Sequence, residues 1–335
     1  MKLILMFAAL AHFQLHAAPT PDADMNQVLN ELAAKNGNPI ESLSPVEARK
    51  QPTPADAVKT LMQKEKKTKQ PEIAGTKDIQ IDGADGKIAA RVYTPKGKGP
   101  FPVVVYFHGG GFVIADNDVY DATPRSLTEQ TNAVFVSVEY RKGPEHKFPA
   151  AHNDAYAAYK WVLQNAAAIG GDAKRIAVAG ESAGGNLALN VSIRARDEKV
   201  QMPVYQLLVY PVAGSDMNTE SYKVNAQAKP LSKPMMMWFV KNYLASPDQA
   251  KDPRINLVAA NLKGLPSTTV ITAEIDPLMS EGKLLSERLS AAGVQVDYQN
   301  YKGATHEFFG MAAVVEDAKD AQAVAASDLK KSFKQ

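Results

Sequence analysis

A chain of 335 residues with 45% hydrophobic and 22% charged residues, and 21 each of glycine and proline, has the make-up of one large or two ordinary globular domains, which excludes disordered, collagenous and coiled-coil readings. Its 38 basic and 36 acidic side chains leave a net charge of +2, so the charge balance gives no reason to expect a nucleic-acid partner. The absence of cysteine excludes disulfide staples, thiolate nucleophiles, thiolate zinc sites and cysteine-borne lipid anchors.

The chain opens with Lys2, an apolar stretch over 3–13 broken by His12, and the small residues Ala17-Ala18 before Pro19. That order predicts a secretory leader over 1–17, too short to span a bilayer, and therefore an exported protein, periplasmic or secreted. An intact Met1 in the exported protein, read by mass spectrometry, would overturn this expectation. Over 21–69 the apolar residues Met25, Val28, Leu29, Leu32 and then Val58, Leu61, Met62 recur at three-to-four spacing, which predicts two amphipathic helices parted by Pro52 and Pro54. The run Lys64, Lys66, Lys67, Lys69 reads as the solvated end of the second helix, and 70–75 as a linker.

Beyond it the period changes. Ile79, Ile81 and the run 88–93, split by Asp82-Gly83 and Asp85-Gly86, predict an antiparallel opening pair of strands. Unbroken apolar runs follow at 103–107, 133–138, 176–179, 205–210 and 269–273, which is the pattern of parallel strands buried on both faces. Helical patterns at 156–165, after Ser182, and at 278–292 alternate with them, and a last strand at 294–301 precedes a helix at about 314–331. The expectation is an α/β fold with one mostly parallel, doubly wound sheet. The segment 214–250 breaks this rhythm with an extra helix, Ser232 as its N-cap, Pro234 in its first turn and Met235, Met236, Met237, Trp238 and Phe239 along it. Together with the N-terminal pair it would cap the carboxyl ends of the strands.

The sharpest chemical signal is Gly180-Glu181-Ser182-Ala183-Gly184, directly between an apolar strand and a helical run. A serine on such a turn is lifted out at the sheet edge, above a helix N-terminus that favours negative charge. A serine hydroxyl needs a base to take its proton and an acid to orient the base, in the chain order serine, acid, histidine. Of six histidines, His12, His16, His108, His146, His152 and His306, only His306 follows Ser182, and it lies just past the last strand. Asp276 follows the 269–273 strand and precedes Pro277, which makes it the preferred acid over Glu274; a carboxyl there can also cap the next helix. His108-Gly109-Gly110-Gly111-Phe112 follows another buried strand, and its bare N–H groups, with that of Ala183, can hold an oxyanion. No lysine or hydroxyl residue follows these glycines as a nucleotide loop would need, and His108, placed before the serine and acid, reads as structural.

Taken together, YFHGGGF at 106–112, VEYRKGPEHKFPAA at 138–151, GESAGG at 180–185, DPL at 276–278 and His306 before Phe-Phe-Gly resemble the hormone-sensitive lipase family of α/β-hydrolases, the bacterial family IV esterases. The resemblance runs from about residue 79 to the C-terminus. It implies Ser182, Asp276 and His306 as a triad, the backbone of Gly110, Gly111 and Ala183 as the oxyanion hole, and Glu145 as a support of the active-site region beside His108, Gly109 and Glu181. It further implies a catalytic domain over 76–335 carrying the insertion at about 214–250, a cap completed by 18–75, short-chain acyl esters as small-molecule substrates, no cofactor and no metal. Three positions depart from the family pattern: Glu181 where Asp is usual, Lys142-Gly143 for Leu-Ala, and Glu307 where Gly is common. The reading is a serine carboxylesterase without stable membrane insertion. Its alternatives are a ligand-binding protein on the same scaffold, and an amide, lactone or acetylated-glycan hydrolase.

Overall fold

The computed structural model describes residues 19–67 and 69–334, so the leader expected over 1–17 lies outside the described residues. The sheet has eight strands: β1 (Gly75–Asp82), β2 (Lys87–Thr94), β3 (Phe101–Phe107), β4 (Val134–Val138), β5 (Gly171–Glu181), β6 (Gln206–Val209), β7 (Thr268–Ile275) and β8 (Val296–Thr305), in the order β1-β2-β4-β3-β5-β6-β7-β8. β1 and β2 form the expected antiparallel pair, β2 joins β4 antiparallel, and every pairing from β4 to β8 is parallel. Val103, Val105 and Phe107 face one layer while Val104 and Tyr106 face the other. Both faces of β3 are thus dry, which is why the sequence shows a solid apolar run there and no alternation.

The helices are α1 (Ala23–Ala34), α2 (Pro45–Ala48), α3 (Pro54–Lys64), α4 (Ala122–Thr131), α5 (Ala150–Asn165), α6 (Ala183–Asp197), α7 (Glu220–Val224), α8 (Lys233–Tyr243), α9 (Met279–Ala291) and α10 (Glu316–Ser332). α5, α6 and α9 cover one face of the sheet; α1, α3, α4 and α10 contribute to the layer on the other. Among the described residues no helix is long and apolar enough to cross a membrane.

Three differences from the sequence expectation have physical reasons. α4 was not expected, because its inward face is built from Thr123, Pro124, Thr128 and Thr131 around the single Leu127, and threonines leave no apolar periodicity to read. α5 starts six residues before the expected 156, where Ala151, His152 and Asp154 bury without a strong hydrophobic signature. β8 continues past the expected 301 through Lys302 and Gly303 to Thr305, with a register shift against β7 between Ala273 and Ile275, so His306, on the expected loop at the strand end, is the first residue of the turn after the strand.

The N-terminal segment holds α1 and α3 as the expected pair, with the short α2 between them. Ser44 and Thr53 each accept the N–H three residues on, and Glu47 and Asp56 return the bond, so both starts are capping boxes with proline in the first turn. α1 is stitched to the opposite end of the chain. The Asp22 N–H donates to Gly303 O at 3.1 Å, Thr305 Oγ1 lies 3.4 Å from Met25 Sδ, and Asp24 accepts the Glu316 N–H at the start of α10. The helix therefore braces the strand end that carries His306.

Candidate active site

Ser182 connects β5 to α6 with φ +55° and ψ −117°, a left-handed backbone that a side-chain-bearing residue holds only when its surroundings over-determine it. Here the surroundings do so. The Ser182 N–H donates to Val209 O, and its carbonyl accepts from Val212 and Asn186. A Cβ on Gly184 would lie 1.9 Å from Phe107 O, and one on Gly180 would lie 2.1 Å from Gly184 O. Both obstacles are backbone. Gly184→Ala is therefore expected to lower stability by about 3 kcal/mol or more, through forced overpacking. A thermal unfolding midpoint equal to that of the wild type would contradict this.

Ser182, Asp276 and His306 come together from three loops at the carboxyl end of the sheet. His306 Nδ1 lies 2.6 Å from Asp276 Oδ2, and Nε2 lies 3.0 Å from Ser182 Oγ. The tautomer that donates from Nδ1 leaves Nε2 to accept the serine proton. Asp276 also accepts the Leu278 N–H through Oδ1, so it braces the turn into α9 as well as the imidazole. Glu274, the rejected alternative, instead accepts the Gly303 N–H. Burial pulls the His306 imidazolium down, but the Asp276 carboxylate, with Glu307 and Glu181 beyond it, holds the group above its ordinary value.

Gly110 (φ +96°) and Gly111 (φ +58°) wrap a turn in which Gly110 O accepts from Val113 and Ile114, leaving both glycines on the cavity wall beside Ser182. A Cβ on Gly111 would sit 2.3 Å from the Phe239 ring, so the cap helix α8 lies directly on this loop. Ala183, fully buried, opens α6. The Tyr120 hydroxyl backs the loop, 2.2 Å from where a Gly109 Cβ would be. His108 is wholly buried, stacked on Tyr140 with Nδ1 against Gly109 O, and makes no hydrogen bond to Ser182, Asp276 or His306.

Over these groups lies a cavity of about 510 Å³, lined by Ser182, His306 and Glu307 below and by Leu29, Leu32, Ile40, Leu231, Met235, Met236 and Phe239 of the cap above. The 235–239 stripe thus splits. Met235, Met236 and Phe239 line the cavity, while Met237 faces solvent and Trp238 packs inward with its Nε1–H donating to Leu43 O. Arg49, which the sequence reading passed over, is the tie between cap and sheet. It donates to Val113 O and Gly143 O and pairs bidentately with Glu145, whose carboxyl it holds at about 2. Glu145 is half-exposed and reaches the N-terminal segment through this pair. Nothing in the sequence marks Arg49, because its partners lie some 64 to 96 positions away.

A family profile described as the α/β hydrolase fold matches residues 104–310. The chain is 41% identical over 249 residues to the esterase LipI of Mycobacterium tuberculosis, covering 73% of this chain and 78% of that one. It is 38% identical over 258 residues to the carboxylesterase NlhH of the same organism, covering 75% and 81%. Among solved structures an esterase of Pyrobaculum calidifontis superposes with a TM-score of 0.83 at 37% identity, over 93% of this chain and 98% of that one. The chain is an α/β hydrolase of the hormone-sensitive lipase type.

In this hydrolase the three departures from the family pattern acquire physical meaning. Lys142 donates to Ala115 O and Glu139 beside the cavity, and Gly143 has the Asn242 carbonyl 2.9 Å from where its Cβ would be, so the end of the cap helix α8 passes too close for a larger residue. Glu307 has φ +71°, the backbone that makes glycine common at this position. Glu181 is buried and receives the hydroxyls of Tyr106 and Tyr210; the Tyr210 ring in turn lies 4.4 Å from the His306 ring. Tyr106, in β3, and Tyr210, just past β6, carry no sequence signal beyond being aromatics in apolar runs, yet Tyr210 connects Glu181, next to Ser182, to the histidine.

Burial pushes the Glu181 carboxyl up to about 7, against the two tyrosine bonds that lower it, with the Glu307 carboxylate adding to the rise. The folded hydrolase therefore binds this proton more tightly than the unfolded chain. The associated stability is full below about pH 4.5 and is lost as pH rises through about 7. Glu181→Gln, which cannot ionise, is expected to gain about 3 kcal/mol relative to wild type between pH 4 and pH 8. Denaturant unfolding at the two pH values reads the difference, and a pH-independent offset would refute the assignment.

Proposed function

We propose that this hydrolase is a carboxylesterase that cleaves small acyl esters through an acyl-enzyme on Ser182. The observation that carries the reading is the unbroken hydrogen-bonded chain from Asp276 through His306 to Ser182 Oγ, opening into an apolar cavity. Its relatives are esterases by name, which supports the same assignment.

As Ser182 Oγ attacks the acyl carbon, His306 Nε2 takes the serine proton and Asp276 steadies the imidazolium at Nδ1. The oxyanion receives the N–H groups of Gly110, Gly111 and Ala183; one such donor is worth about 3 kcal/mol of barrier. The imidazolium then gives its proton to the departing alcohol, and water repeats the sequence on the acyl-enzyme. The apolar ceiling of Leu231, Met236 and Phe239 favours an uncharged acyl group, and the cavity's size favours a short one.

The test is a series of p-nitrophenyl esters from acetyl to palmitoyl. Turnover should peak between acetyl and hexanoyl and fall away at palmitoyl. A maximum at the long chains would overturn the size preference, and no turnover of any ester by the folded protein would overturn the reaction.

A further inference from the structure

We propose that Glu307 is a further catalytic residue, orienting the water that releases the acyl group from Ser182; the inference rests on the esterase reading above. Its carboxylate lies on the cavity wall, with Oε1 4.0 Å from His306 Nε2, the nitrogen that must act as base. That oxygen is fixed. The Tyr120 hydroxyl donates to it at 2.5 Å, and Tyr120 is itself seated under the glycine loop at Gly109. A residue with a side chain is held here in a left-handed backbone that glycine would adopt freely, so strain is carried in order to place this group.

The gap has the dimensions of one water molecule. A water within about 2.8 Å of both Nε2 and Oε1 spans the 4.0 Å separation at roughly a right angle, near its own H–O–H angle. Both of its protons are then engaged, and its free lone pairs point away from these two acceptors. In deacylation the water oxygen bonds to the acyl carbon as Nε2 takes one proton. The carbon–Oγ bond then breaks, Nε2 returns that proton to Oγ, and the carboxylic acid leaves. Glu307 neither gains nor loses a proton; it accepts the hydrogen bond of the second water hydrogen throughout. During acylation the same place is occupied by the leaving alcohol, whose oxygen carries only the proton delivered by Nε2. Glu307 therefore acts on the second half-reaction and not on the first.

The experiment compares wild type, Glu307→Gly and Glu307→Gln on p-nitrophenyl butyrate. The nitrophenol burst gives acylation, and acid quench followed by mass spectrometry gives the fraction of protein carrying butyryl. In Glu307→Gly, where glycine suits the backbone, the burst rate should stay within about twofold of wild type while deacylation slows about tenfold and the acylated fraction rises. Glu307→Gln keeps an oxygen for Tyr120 to hold and should deacylate nearly as wild type. Unchanged deacylation in Glu307→Gly, or a parallel fall of both half-reactions, overturns the inference. Butyrate ester turnover retained in full by Ser182→Ala would instead overturn the acyl-enzyme reading itself.

Discussion

Ser182→Ala should lower kcat by about a millionfold while leaving the fold intact. The size follows from the way the three residues act as one unit. Without Oγ there is nothing for His306 to deprotonate, and the Asp276–His306 pair is left with no reaction to assist. A small residue of activity above the uncatalysed rate should survive, because the glycine loop can still polarise a bound carbonyl for attack by water. The substitution is sterically mild at a buried position, so the thermal midpoint should stay close to that of wild type. A fluorophosphonate probe gives an independent reading: it should add its mass to Ser182 in wild type and nowhere in the variant. Retained ester turnover, or labelling of the variant, would remove Ser182 from the reaction.

Asp276→Asn should cost about ten-thousandfold in kcat, and for a different reason. The asparagine amide can donate to His306 Nδ1, which would leave the proton on Nε2 and point a donor at the serine hydroxyl where an acceptor is needed. The pH dependence separates this from a loss of fold. In wild type the base works only when neutral, so activity falls as pH drops through a His306 value lying above its ordinary 6.5. Removing the carboxylate removes the main influence that raises this value and leaves burial, which lowers it. The acid limb of the variant's much lower pH–rate profile should therefore shift to lower pH. A limb that stays in place would mean that Asp276 is not the charge felt by His306.

Much of this architecture could be read from residue patterns, and the parts that could not escaped for three distinct reasons. The five central strands announced themselves because both of their faces are dry, and the serine turn because it needs small residues at Gly180 and Gly184, against backbone. Asp276 and His306 followed from chain order and from their place at strand ends. α4 escaped because its buried face is threonine, and the end of β8 because Lys302 and Gly303 interrupt any apolar pattern. Arg49, Tyr120 and Tyr210 escaped for a third reason. Each acts through a partner distant in the chain, and a single sequence carries local pattern but no record of which distant groups meet.

The stitching of α1 to Gly303, Thr305 and α10 bears on how this protein can be cut and fused. Trimming the polypeptide through residue 34 would strip away Leu29 and Leu32 from above the substrate, and with them the prop under the strand end that holds the imidazole. A shortened form would lose selectivity and base alignment together, so additions are better tolerated ahead of Asp22 than deletions beyond it.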